Sequence, residues 1–235
     1  MSGLPESAER GQVWHKGPAT ILGCGVVDEI GIAGTRGITA LWSDLDMHPP
    51  GTGKTMRAVF DKADATFRRI DLPARALVLA CEAANLETIL SPEQRNEAAI
   101  CVETDLGSLA TDVNFADSLG DECVHAGIFP YSLTSTCLGE VALRYKLRGP
   151  TVSMSVRGHG AGESLREALR MLHGGDCEHV IAGVVDALAE PAAGRPATMR
   201  AVVAVLARNG EGLGELPWPS TDDAQPFAQL SAMCR

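Results

Sequence analysis

Residues 148–188, RGPTVSMSVRGHGAGESLREALRMLHGGDCEHVIAGVVDAL, constrain the fold of this chain more than any other stretch. Gly149 and Pro150 cannot continue a helix, so they end the segment before them. Val152, Met154 and Val156 then alternate with other residues, which is strand periodicity. Leu165, Ala168, Leu169 and Leu172 recur at helical spacing, and Gly174-Gly175 closes that helix. HVIAGVV is a continuous apolar run of the kind covered on both faces of a sheet. Strand, helix and buried strand in close succession predict an α/β protein.

The rest of the chain fits that class. Only 4% of its 235 residues are aromatic while 45% are hydrophobic, which suits closely packed α/β layers better than an all-β sandwich. ATILGCGVVDEIG reads as a strand entering a glycine-rich loop, and TRGITALWSDL as a helix. Ile70, Ala74, Leu77, Val78, Cys81 and Ala84 share one helix face. AAICVE predicts a strand, LGSLATDVNFADSL a helix, and Leu138, Val141, Ala142 and Tyr145 a helix stopped at Gly149-Pro150. RAVVAVLAR is the expected last strand, because GEGLGELPWPSTDDAQPF has loop composition. No repeat or linker interrupts this order. The expected organisation is an N-terminal tail over 1–18, one α/β domain over 19–209, and a C-terminal loop and tail over 210–235.

Charge and cysteine usage narrow the function. A net charge of −10 without a basic run argues against nucleic acid as a partner. No apolar stretch reaches the roughly 18 to 20 residues of a membrane span, and the N-terminus lacks a signal-peptide core, so a cytoplasmic protein is expected. The seven cysteines form no C-x-x-C pair and read as buried free thiols; no metal and no cofactor is expected.

HPPGTGKT, residues 48–55, resembles the end of a phosphate-binding loop. The first glycine of that pattern is His48 here, and LWSDLDM is not the buried strand that should precede it. Asp186, after VIAGVV, is the one candidate for a Mg²⁺-holding acid. A surface loop is the favoured reading, with a nucleotide-binding protein as the alternative.

Residues 148–188 resemble the N-terminal half of the β-ketoacyl synthases, the condensing enzymes of fatty acid and polyketide assembly. Gly149-Pro150, the strand to Val156, the helix to His173, Gly175-Asp176 and IAGVVDA match that layout without insertion or deletion. The likeness extends back through FPYSLTSTCLGEVALRYKL, ICVETDLGSL and ILGCGVVDEIG. The resemblance implies half of a thiolase-like fold, a mixed sheet of about five strands layered with helices. It also places the nucleophilic cysteine of the family at Gly158, where no acyl-enzyme can form. The family's catalytic histidines and lysine belong to a C-terminal half that this chain is not expected to contain. By resemblance the chain is therefore no enzyme on its own.

What survives is the dimer-forming half. By resemblance Thr151–Val156 pairs with its counterpart across a two-fold axis, and Ile128–Ser135 reaches toward the partner's acyl pocket. This is the pattern of the chain-length factors of type II polyketide and aryl polyene assembly, including half-length versions. Leu106, Ile128 and Phe129 match acyl-channel positions of the family, with packing in an ordinary core as the alternative. Tyr131, Leu133, Val152, Met154, Val156, Arg157 and His159 complete the candidate channel and interface set. A packing or polar role is favoured for His159, and a buried ion pair or interface contact for Arg157. The implied partner is a full-length β-ketoacyl synthase in a heterodimer, with an acyl carrier protein engaged through that partner. A homodimeric acyl-binding or scaffold protein is the alternative.

Overall fold

The computed structural model describes residues 17–45, 59–60, 66–67, 69–120, 126–158, 160–219 and 226–235. HPPGTGKT, His159 and Cys123 lie outside the described residues.

Five long strands carry the sheet: β1 (Ala19–Val27), β4 (Ala99–Thr104), β5 (Thr151–Ser155), β6 (His179–Leu188) and β7 (Thr198–Ala207). Three short ones, β2 (Gly31–Gly34), β3 (Thr39–Leu41) and β8 (Gly214–Leu216), extend it around β1. The order is β3-β2-β1-β7-β6-β4-β5, with β8 also paired to β1. β4 runs parallel to β5 and β6, whereas β7 is antiparallel to both β6 and β1. This is the mixed α/β sheet expected from the sequence, with three short strands added.

Helices cover both faces. α1 (Leu72–Ala83) and α5 (Thr136–Tyr145) pack on one side, where Leu77, Val141 and Tyr145 meet Ile100, Val102, Ile181 and Val185. α6 (Glu163–Gly174) packs on the other, where Leu165, Leu169 and Leu172 meet Cys101, Val180, Ala182 and Val184. Alternate residues of β6 thus point to opposite cores, the physical reason its sequence is apolar throughout. The outer face of α6 is polar and carries the pairs Arg166–Glu163 and Arg170–Glu167. α2 (Leu86–Ile89) and α3 (Pro92–Glu97) link α1 to β4, and α4 (Leu109–Ser118) follows β4.

α1 starts where Asp71 accepts a hydrogen bond from the Ala74 amide at 3.1 Å. It lies so close to β1 that a Cβ at Gly25 would sit 2.0 Å from the Ala80 carbonyl oxygen. The Glu82 carboxylate joins α1 to α5, accepting from the buried Tyr145 hydroxyl at 2.8 Å and pairing with Arg144 and Arg36.

Four expectations change. TRGITALWSDL is no helix: β2 continues the glycine-rich segment as a strand, a turn through Gly37 (φ +77°) follows, and β3 completes a hairpin. α5 ends at Tyr145 because Lys146 takes a left-handed conformation (φ +60°), before Gly149 is reached. Residues 210–235 are more than loop and tail, since β8 pairs with β1 and α7 (Pro226–Met233) buries Phe227 and Leu230. There the Cys234 thiol donates to Cys24 Sγ at 2.6 Å. The fourth concerns Arg157, expected at a buried strand end: it is exposed, because β5 is the sheet edge.

Candidate functional site

The C-terminal ends of β4, β5 and β6 converge on the turn that leads from β5 into α6. The Val156 amide donates to the Thr104 carbonyl at 2.9 Å, carrying the β4–β5 ladder one residue past β5. Gly158, Gly160 and Gly162 then all adopt positive φ (+86°, +73° and +83°), a path open to glycine and costly for other residues. Gly158 is exposed, and a Cβ there would meet nothing within 4 Å. Thus the position that the resemblance assigns to a nucleophile presents only backbone.

Two buried carboxylates lie beneath this turn. Glu103, fully buried at the end of β4, accepts from the Gly162 amide at 3.0 Å and the Ser164 amide at 2.8 Å, at the N-terminus of α6. Asp186 on β6 accepts from the Thr104 hydroxyl and the Asp105 and Leu106 amides, each at 2.9 Å. Its oxygen is taken up by the backbone after β4, so the acid considered for Mg²⁺ holds a loop instead. Arg200, opposite Asp186 in the β6–β7 ladder, passes over Gly160, where a Cβ would lie 2.7 Å from its Nη2. Burial lowers the Arg200 pKa, while Asp186 and Glu103 act in the opposite direction.

The described cysteines are buried and unbridged. Burial foremost pushes Cys101 and Cys137 up to about 12 and Cys177 up to about 11, so these remain thiols at neutral pH. Among the described residues no group of His, Cys, Asp and Glu is arranged to hold a metal ion, and no helix is long and apolar enough to cross a membrane.

The predicted channel and interface residues separate into three places. Leu106 is buried, 8% exposed, under the grip of Asp186. Val152 and Met154 pack against the α6-side core, and Val156 is half-buried beside them. The 3-10 segment Ala126–Ser132 turns Phe129 outward, 59% exposed, with Leu133 just beyond it 64% exposed and Ile128 half-buried. The Phe129 ring rests 5.5 Å from that of Phe115 on α4. Tyr131 points back and donates its hydroxyl to Glu140 at 2.9 Å. Tyr131 and Leu133 share a cavity of about 10 Å³ with Asp71, Thr104, Gly107 and Cys137, room for about one water. Sequence reasoning missed Glu103 and Arg200; the available signal was a charge at one end of each of the apolar runs AICVE and RAVVAVLA.

The β-ketoacyl synthase N-terminal domain model matches residues 48–209, so HPPGTGKT falls inside the matched region. No curated protein matches the chain. Among solved structures, the ishigamide ketosynthase/chain length factor is similar with a TM-score of 0.60 at 18% identity, over 86% of this chain and 64% of that one. A type II PKS acyl-carrier protein in complex with its ketosynthase bound to the hexaketide gives 0.57 at 15% identity, over 82% and 63%. The chain thus spans less than two thirds of the length of these two neighbours. The ketosynthase ApeO in complex with its chain length factor ApeC, from Xenorhabdus doucetiae, gives 0.56 at 18% identity, over 92% of this chain and 90% of that one. The likeness to these neighbours shows the thiolase-like ketosynthase fold. By its matched sequence, the chain belongs to the β-ketoacyl synthase N-terminal domain family.

Proposed function

We propose that this chain is a catalytically silent ketosynthase homologue, of chain-length-factor type. It pairs with an active β-ketoacyl synthase in the cytoplasm and shapes the acyl channel of that partner. One observation carries the reading: β5, whose only strand partner among the described residues is β4, runs straight into an exposed turn with glycine at 158. A free strand edge is a template for a second chain, and a glycine cannot carry an acyl group. Phe129 and Leu133, large apolar side chains left to solvent, support the same surface. The one-water cavity beside Tyr131 and Leu133 holds no acyl chain, so the influence on chain length is exerted by the outward wall at Ile128, Phe129 and Leu133. A bulkier wall excludes further chain units at about 0.8 kcal/mol per CH₂ left unburied. With a net charge of −10, the chain leaves carrier-protein docking to the partner.

Co-expression with a full-length β-ketoacyl synthase, followed by size-exclusion chromatography, tests the pairing. A one-to-one complex is the expected result. A stable monomer whose elution ignores the partner refutes it.

A further inference from the structure

We propose that Glu103 is the standing occupant of the α6 N-terminus, and that this internal plug keeps the turn at Gly158 silent even toward a thiol restored there. The proposal rests on the reading of Gly158 as a nucleophile position.

A helix N-terminus carries free amides and about half a unit of positive charge, which is how such a site lowers the pKa of a cysteine. In α6 two of those amides are taken: Gly162 donates to one oxygen of Glu103 and Ser164 to the other. Burial of a carboxylate costs several kcal/mol unless it is paired and hydrogen-bonded. The two amides, at 3.0 and 2.8 Å, offset that cost and hold Glu103 in place. Arg200 has no hydrogen-bonded partner among the described residues, and both Asp186 and Glu103 favour its charged form. Gly160 is bare where the guanidinium crosses the turn. Ser164 adds a lock, its hydroxyl donating to the Gly183 carbonyl at 2.7 Å. Among the described residues, the charged groups at this end of α6 are Glu103 from β4, Asp186 from β6, Arg200 from β7, and Glu163 and Arg166 from α6 itself. Arg166 is engaged with Glu163 and with the Ala161 carbonyl. Arg157 in the turn is exposed.

The test is iodoacetamide alkylation of the purified full chain carrying Gly158→Cys, followed against pH, with the unmodified chain as background for the native thiols. The added thiol is expected to titrate at or above the ordinary value of about 8.5. Adding Glu103→Gln removes the negative charge from the helix end, lowers the midpoint by about one unit and speeds alkylation at pH 7 roughly fivefold. Adding Glu163→Gln instead, an exposed carboxylate at the same helix end, changes the rate by less than about twofold. Two results overturn the proposal: a midpoint below about 7 with Glu103 intact, or equal acceleration by Glu163→Gln and Glu103→Gln. Should Glu103→Gln fail to fold, the midpoint of Gly158→Cys alone decides. None of these results depends on a partner, so loss of the heterodimer and loss of the plug are separately visible.

Discussion

Asp186→Ala tests how the end of β4 is held. Asp186 is 1% exposed, and its Oδ1 accepts the Asp105 and Leu106 amides and the Thr104 hydroxyl. Thr104 Oγ1 in turn accepts from the Gly107 amide at 2.8 Å, so one carboxylate fixes the four residues 104–107, Leu106, the predicted channel position, among them. Alanine leaves two backbone amides without an acceptor, at about 1 to 3 kcal/mol each, while the threonine hydroxyl can re-aim. The sum is about 2 to 6 kcal/mol, a large share of the roughly 5 to 15 kcal/mol that holds a domain together. Asp186→Asn keeps one acceptor oxygen and should cost only about 1 to 2 kcal/mol. Urea unfolding followed by circular dichroism should show the alanine midpoint lowered by about 1 to 1.5 M. An alanine variant within about 0.5 kcal/mol of the parent, or one no weaker than the asparagine variant, refutes the assignment of Asp186 as the clamp.

Three further outcomes are expected. Desolvation foremost raises the Asp71 pKa to about 6, the Glu140 charge adding to it and the bonds from Ala74 and Thr111 opposing it. Its folded value lies above the unfolded one of about 3.9, so the stability it contributes is present below pH 4 and is lost as pH rises through 6. Melting temperatures recorded across that window should fall with pH through this group, and Asp71→Asn should flatten that component. Phe129→Asp and Leu133→Asp change exposed positions, so the melting temperature of the isolated chain should move by no more than about 0.5 kcal/mol equivalent. The same variants should lose the ketosynthase complex on size exclusion; retention of the complex would move the interface elsewhere. Gly25→Ala places a methyl 2.0 Å from the Ala80 oxygen and should cost about 3 kcal/mol or more, read as a lowered denaturation midpoint.

The sequence by itself determined the elements whose signals are local. α6 and β6 were legible because Leu165, Ala168, Leu169 and Leu172 keep helical spacing, Gly174-Gly175 ends the helix, and HVIAGVV has no polar face. The glycine at 158 is read from the sequence, and its match to the nucleophile position of the family is what the resemblance implies. Only the tertiary structure decided the rest. Ile38, Leu41, Trp42 and Leu45 have helical spacing, yet the chain there forms a hairpin, because β2 finds β1 and its register with β3 satisfies the backbone better than a short helix would. Leu216, Phe227 and Leu230 sit in a segment of loop composition and become core through β1, some two hundred residues away, and for α7 also through β7. Glu103 and Arg200 lie at the ends of apolar runs, and nothing local shows what they answer to. The compensation is long-range: a buried charge is tolerable only where the sheet brings a helix end and an opposite charge to it, and that meeting is made by the fold.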